Sequence, residues 1–149
     1  MPQSPRERIG ITLGRAARLM RTRLDERLAP LGLTQAKWLI LLYLSRDGGR
    51  KPQKELAEIV GVEGPTVVRV LDGLERLGLI ERRDQPTDRR SKDVCLTPRA
   101  GELVAEIRRI TDGFRKEMWA GVSEEDVAVC GRVLEAVLAN LGALGRDPD

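Results

Sequence analysis

The sequence predicts a mainly α-helical fold that carries one small β-hairpin, with its elements in the order α-α-α-α-β-β-α-α. Two observations support this fold class. Apolar residues recur at intervals of three and four along most of the 149 residues, which is the period of an amphipathic helix. Between Leu79 and Leu96 the pattern changes to two short strand-like runs around a polar turn, as expected for a hairpin.

Six helices follow from this periodicity, and glycines and prolines mark most of their ends. Pro30 and Gly32 end the first helix, Gly61 ends the third and Gly78 ends the fourth. Residues 1–7 are expected to be a loose start. The predicted helices run from Ile9 to about Leu28, from Gln35 to about Ser45, from Pro52 to Val60, from about Gly64 to Leu77, from Pro98 to about Met118 and from Ser123 to about Leu144.

Side chains that cap helices support several of these starts. Thr34 is a candidate N-cap of the second helix, and Thr97 is one before the proline that opens the fifth. Ser123 and Asp126 have the spacing of a capping box at the last helix. The second helix is apolar on most sides, which predicts that it lies at the centre of the core.

The predicted hairpin joins the strand-like runs Leu79–Arg83 and Arg89–Leu96 through the turn-forming residues 84–88. Its strands and tip are strongly basic, with the cations Arg82, Arg83, Arg89, Arg90 and Lys92. One interpretation is a charged hairpin that only faces solvent. The alternative is a DNA-binding wing, because the hairpin directly follows the third and fourth helices, which are short and joined by a glycine turn.

Composition excludes several classes of function. The chain has no histidine, so His-based catalytic triads and His-ligated metals are excluded. Cys95 and Cys130 lie far apart, without the spacing of a disulfide scaffold or zinc site. No nucleophile–base pair and no phosphate-binding loop stands out. We therefore expect a protein that is not an enzyme and that needs no cofactor or metal.

The segment from Pro52 to Thr97 has the order helix, turn, helix, hairpin, which is that of a winged helix-turn-helix. In this motif the second helix enters the major groove of DNA with its N-terminal residues at the base edges. Pro65, Thr66 and Arg69 face outward there, and Arg69 can reach the O6 and N7 acceptors of guanine.

The same segment resembles the MarR family of bacterial transcription regulators. The residue types of the family signature occur from Thr66 through Ala100, including the runs Gly78-Leu79-Ile80 and Asp88-Arg89-Arg90. Three segments look like the SlyA subgroup of that family. They are Leu33-Thr34-Gln35-Ala36-Lys37-Trp38, Val68-Arg69-Val70-Leu71-Asp72-Gly73-Leu74-Glu75 and Asp88-Arg89-Arg90-Ser91-Lys92.

The resemblance implies a homodimer that regulates transcription from a pseudo-palindromic operator in double-stranded DNA, most commonly as a repressor. Residues 1–33 would form an N-terminal dimerisation helix, residues 34–97 the DNA-binding lobe, and residues 98–149 the C-terminal dimerisation helices. A two-fold dimer presents two recognition helices about one turn of DNA apart.

The resemblance also assigns roles to individual residues. Pro65, Thr66 and Arg69 match the positions that contact the major groove. At the wing, Arg89 matches the arginine that enters the minor groove, and we expect Asp88 to orient it through an ion pair. We expect Arg90 to contact the DNA backbone.

Family members commonly release DNA when a small, often aromatic, anion binds, and we expect such an effector here. The resemblance places Arg15, Arg18, Thr34 and Trp38 near its site. A planar apolar wall beside guanidinium groups would suit an aromatic carboxylate or an acyl thioester with phosphates. Trp38 as an ordinary core residue and the two arginines as surface residues remain the alternative.

A second reading of the whole chain is a winged-helix module that binds proteins without specific DNA binding. The pairing of an outward Arg69 with the wing arginines favours DNA instead. No apolar run reaches the length of a membrane span, so a cytoplasmic protein without a membrane partner is expected.

Overall fold

The computed structural model describes residues 4–61 and 63–145, and it confirms a mainly α-helical fold with a small wing. The chain divides into two compact units, residues 1–114 and 115–149. The predicted boundaries at 33/34 and 97/98 separate the parts that a dimer would use, and they stay predictions. The elements are α1 (Pro5–Leu28), α2 (Gln35–Arg46), β1 (Arg50–Pro52), α3 (Gln53–Val60), α4 (Gly64–Arg76), β2 (Ile80–Asp84), β3 (Lys92–Leu96), α5 (Gly101–Met118) and α6 (Glu124–Leu144).

Helix α1 starts four residues earlier than predicted. The Ser4 hydroxyl accepts a hydrogen bond from the Glu7 backbone N–H at 3.2 Å, and the Ser4 N–H donates to the Glu7 carboxylate at 2.7 Å. This reciprocal capping box holds the first turn, so the expectation of a loose start was wrong from Pro5 onward. A short 3₁₀ turn follows α1, and Gly32 closes it with φ of 70°.

Strand β1 is an element that the sequence analysis missed. It pairs antiparallel with β3, with Arg50 opposite Cys95, and the three strands lie in the order β1-β3-β2. Pro52 was predicted as the first residue of a helix, but it ends β1 and occupies the N-cap position of α3. Its ψ of 138° is extended rather than helical.

The wing is formed by β2 and β3, which pair antiparallel from Ile80 opposite Leu96 to Asp84 opposite Lys92. The predicted second strand was three residues too long, because residues 89–91 belong to the turn. There the Gln85 N–H donates to the Ser91 carbonyl at 3.1 Å, which closes the turn just before β3 begins.

The core of the first unit is built around α2, as predicted. Ile40, Leu41 and Leu44 are completely buried, and α4 packs against them with Val67, Leu71 and Leu74. Leu77, predicted as the last residue of the fourth helix, lies one residue beyond the end of α4 and is 47% exposed.

In the second unit, α6 begins after Ser123, whose hydroxyl accepts the Asp126 N–H at 3.1 Å. No residue of this helix is buried. By length and composition alone it could cross a membrane, with a mean hydropathy of 1.6 over its most apolar window. That stretch of the helix contains two charged residues, Arg132 and Glu135. The large apolar residues that α6 exposes are Val129, Val133, Val137, Leu138, Leu141 and Leu144.

Candidate nucleic-acid interface

Helix α4 presents its N-terminal turns to solvent. The carbonyl of Glu63 accepts the N–H groups of Thr66 and Val67 at 3.0 and 3.1 Å, which sets the first turn. Pro65 fits that turn because its missing N–H would have no partner inside the helix. Val67 turns into the core, whereas the predicted major-groove residues Pro65, Thr66 and Arg69 are all exposed. They therefore lie together on the solvent face.

The turn before α4 depends on Gly61, which caps α3 with φ of 70° and donates its N–H to Ala57 at 3.0 Å. A left-handed backbone of this kind favours glycine. The sequence-predicted helix end at this glycine is confirmed, and it directs the chain from α3 toward the start of the exposed helix.

The wing tip carries the predicted minor-groove residue Arg89 and the predicted backbone contact Arg90, both exposed. Asp88 orders the turn differently from expectation. Its carboxylate accepts the Arg90 backbone N–H at 2.9 Å and the Ser91 hydroxyl at 3.2 Å. Among the described residues no ion pair joins it to Arg89, so it shapes the backbone on either side of the arginines instead.

Asp93 ties the base of the wing to β1. One carboxylate oxygen accepts from Arg50 Nε at 2.6 Å, and the other accepts from Gln85 Nε2 at 2.8 Å. The hydrogen bonds from Gln85 and then Arg50 outweigh desolvation and hold the pKa of Asp93 below its usual range. Sequence reasoning missed this buried carboxylate, because Arg50 is 43 residues away in a strand with no recognisable period.

Arg82 was predicted to be one of the cations on the surface of the hairpin. In the structure its side chain turns away from that surface and toward α4. Its Nη2 lies 2.5 Å from the Asp72 carboxylate and its Nε lies 2.7 Å from that of Glu75, both on α4. Burial alone would lower the pKa of Arg82, but these hydrogen bonds raise it overall. This guanidinium thus joins two elements of the fold.

A cavity of about 580 Å³ lies between α1, α2 and the end of α3, within the size range of small-molecule sites. Arg21 is the one charged residue among the described residues that line it. The predicted effector residue Trp38 lines it, although the residue is only 2% exposed and its indole N–H donates to Asp25 at 3.1 Å. The lining residues are Met20, Arg21, Leu24, Gln35, Ala36, Trp38, Leu39, Ile59, Val60 and Gly61.

The other three predicted effector residues do not line this cavity. Arg15 and Arg18 are exposed on α1, and Thr34 is exposed at the N-cap position of α2. The Thr34 side chain makes no capping hydrogen bond. Arg21 was missed, although it continues the same run of arginines one turn further along the helix.

Comparisons with known proteins agree with this geometry. Residues 31–91 match the sequence model of the MarR family. Transcriptional regulator PA3341 is 46% identical, over 91% of this chain and 98% of that chain, with a TM-score of 0.85. A MarR-family regulator from Silicibacter pomeroyi is 28% identical, over 87% and 86% of the two chains, with a TM-score of 0.77. NadR, solved in complex with 4-hydroxyphenylacetate, is 25% identical, over 92% and 97%, with a TM-score of 0.79.

Proposed function

The chain belongs to the MarR family of transcriptional regulators, and from this premise we propose that it is a homodimeric repressor. It binds a pseudo-palindromic operator and leaves it when a small anionic ligand binds. The observation that carries the proposal is the exposure of Arg69 on the N-terminal turns of α4 and of Arg89 and Arg90 at the wing tip of the same lobe.

The exposed residues divide the work of recognition. Arg69 reads base edges in the major groove, with Thr66 beside it and Pro65 allowing close approach of the backbone. Arg89 enters the minor groove, where narrow A·T tracts concentrate negative potential. Arg90 neutralises a backbone phosphate, and Asp88 keeps the tip in shape for both.

The exposed apolar residues of α6 support the proposed homodimer. A face that includes Leu138 at 67% and Leu141 at 58% exposure is poorly suited to water. A second copy of the same helix is the partner that would cover it, as the resemblance predicts. Arg132 and Glu135 within the helix favour this protein partner over a membrane, and we place the protein in the cytoplasm.

The cavity beside Trp38 is the effector site that we favour. Arg21 provides one guanidinium for a carboxylate, and the mostly apolar remainder suits a ring or an acyl chain. NadR was solved with 4-hydroxyphenylacetate, an aromatic carboxylate. To weaken DNA binding, a ligand needs to bind a conformation that does not fit the operator only about 1–3 kcal/mol more tightly than it binds the DNA-binding conformation. Arg15, Arg18 and Thr34 stay predictions for the mouth of such a site.

Fluorescence anisotropy with a duplex from upstream of the protein's own gene tests the proposal. We expect nanomolar binding, at least about 10³-fold tighter than to a scrambled duplex at the same salt concentration. Salicylate, 4-hydroxyphenylacetate and acyl-CoA thioesters are then added, and an aromatic carboxylate should release the DNA. Arg21→Gln should abolish this release, whereas Arg23→Gln, an exposed neighbour on α1, should not.

Two variants separate base reading from phosphate contact. Arg69→Ala is expected to cost about 1–3 kcal/mol of binding free energy and to relax the preference for the operator, whereas Arg90→Ala should weaken all duplexes alike. An unchanged preference in Arg69→Ala would contradict the orientation of the recognition helix. If the wild-type protein binds neither the upstream duplex nor the scrambled one, a winged-helix module that binds proteins becomes the better interpretation.

A further inference from the structure

Three charged side chains join the wing to the recognition helix. Asp72 and Glu75 are three positions apart on α4, so they lie on the same face of the helix. Arg82, the third residue of β2, reaches both of them, at 2.5 and 2.7 Å. Its side chain is 24% exposed, against 60% for Arg83 next to it. Arg82 therefore packs against the helix rather than facing solvent.

The remaining wing cations behave differently. Arg83 pairs with Glu81 on its own strand, and Lys92 pairs with Asp84 across the hairpin. Within the described residues, Arg82 is the wing cation whose ion pairs leave the hairpin and reach α4. A guanidinium held through two of its nitrogens also has less freedom than one held at a single point.

The backbone that connects α4 to β2 is held at its inner end only, which leaves a role for the Arg82 ion pairs further out. The chain passes from α4 to β2 through Gly78, whose φ is +73°. The Thr97 hydroxyl donates to the Gly78 carbonyl at 2.6 Å, and Ile80 is buried. These contacts fix the inner end of the wing. Arg82 contacts α4 two residues further out on β2, so its ion pairs resist tilting of the part that carries the tip.

We propose that Arg82 is a positioning residue for DNA recognition, which holds the wing at a set angle to the recognition helix through Asp72 and Glu75. The proposal rests on the function proposed above. Arg82 itself contacts no DNA. It keeps Arg89 at the distance from Arg69 that lets one lobe use the major and the minor groove at once.

A double-mutant cycle in the full-length protein tests this coupling. Arg82→Gln is expected to weaken operator binding about 3- to 30-fold, the range found for residues that act through others. In an Arg89→Ala background the same change should produce a clearly smaller loss, because the minor-groove contact that it positions is already gone. In an Arg69→Ala background it should produce its full loss.

Arg83→Gln is the matched control, because it removes the same charge from the neighbouring position. Any loss it causes should add to that of Arg89→Ala. Arg82→Lys keeps the charge but loses the fork that pairs with two carboxylates, so it should restore binding in part. An Arg82→Gln loss of the same size with and without Arg89 would overturn the proposal, as would unchanged binding.

Hydrogen exchange of the free protein gives a readout without DNA. Amides of residues 80–96 should exchange faster in Arg82→Gln and at the wild-type rate in Arg83→Gln, while the core of α2 stays protected in both. Unchanged exchange in the wing would overturn the proposal. If the wild-type protein binds no operator, the proposed function fails, and the exchange result still decides whether Arg82 holds the wing.

Discussion

Gly73 and Gly78, in and just after the recognition helix α4, differ in whether their backbone conformation requires glycine. Gly73 lies inside α4, where a Cβ would come within 3.1 Å of Lys37 Cε, the flexible end of a side chain. Gly78 lies after the helix with φ of +73°, and a Cβ there would lie 3.4 Å from Arg99 Cδ. The first position has ordinary helical geometry, whereas the second needs a backbone that other residues adopt at a cost.

Alanine at these positions should therefore change stability in opposite directions. Gly73→Ala is expected to raise the free energy of unfolding by about 0.5–1 kcal/mol, since alanine favours a helix and the end of Lys37 can move aside. Gly78→Ala should lower it by about 1–2 kcal/mol through the left-handed backbone. Urea denaturation at one fixed protein concentration measures both. A destabilised Gly73→Ala would mean that Lys37 is held in place.

At the scale of elements, the base of the wing depends on the carboxylate of Asp93. Arg50 from β1 and Gln85 from the start of the turn both donate to it, so one side chain joins three segments. Because the pKa of Asp93 is lowered in the folded protein, its ionised form stabilises the fold. That contribution is present above the unfolded value of about 3.9 and is lost as the pH falls through the lower folded value.

This dependence on pH can be measured with Asp93→Asn. At pH of about 6 the variant should melt at a lower temperature than the wild type. The difference should begin to shrink below about pH 4, where the carboxyl of the unfolded chain takes up a proton, and it should vanish once the pH falls through the lower pKa of the folded protein. Asp84→Asn is the control, since its exposed pair with Lys92 contributes little. An equal difference in melting temperature at both pH values would show that the Asp93 charge does not matter.

Local patterns in the sequence predicted the features that depend on neighbouring residues, but not those that depend on residues far away in the chain. The turn at Gly61 and the buried α2 followed from local patterns, and both were confirmed. Strand β1 is only three residues long and exists because β3 pairs with it, so no local pattern indicated it. Arg82 shows the same limit: its residue type predicted a basic wing, but its direction depends on Asp72 and Glu75 of another element.

The whole molecule has an apolar surface that one copy leaves exposed. On α6 the side chains of Leu138, Leu141 and Leu144 are 67%, 58% and 81% exposed. Covering a leucine side chain completely contributes about 1.5–3 kcal/mol, so a few such residues can hold two copies together. Dimerisation would also double the number of recognition helices, which links the stability of this surface to affinity for the operator.

The paired substitution Leu138→Lys and Leu141→Lys should therefore convert the proposed dimer to a monomer of 16.6 kDa at micromolar concentration. Operator binding should fall together with the mass, because a monomer holds a single half-site. Asn140→Lys adds the same charge to a different face of α6, and it should leave both mass and binding unchanged. Sedimentation equilibrium gives the mass and anisotropy gives the affinity. A wild-type protein that sediments as a monomer, or a double variant that remains a dimer, would contradict this use of α6.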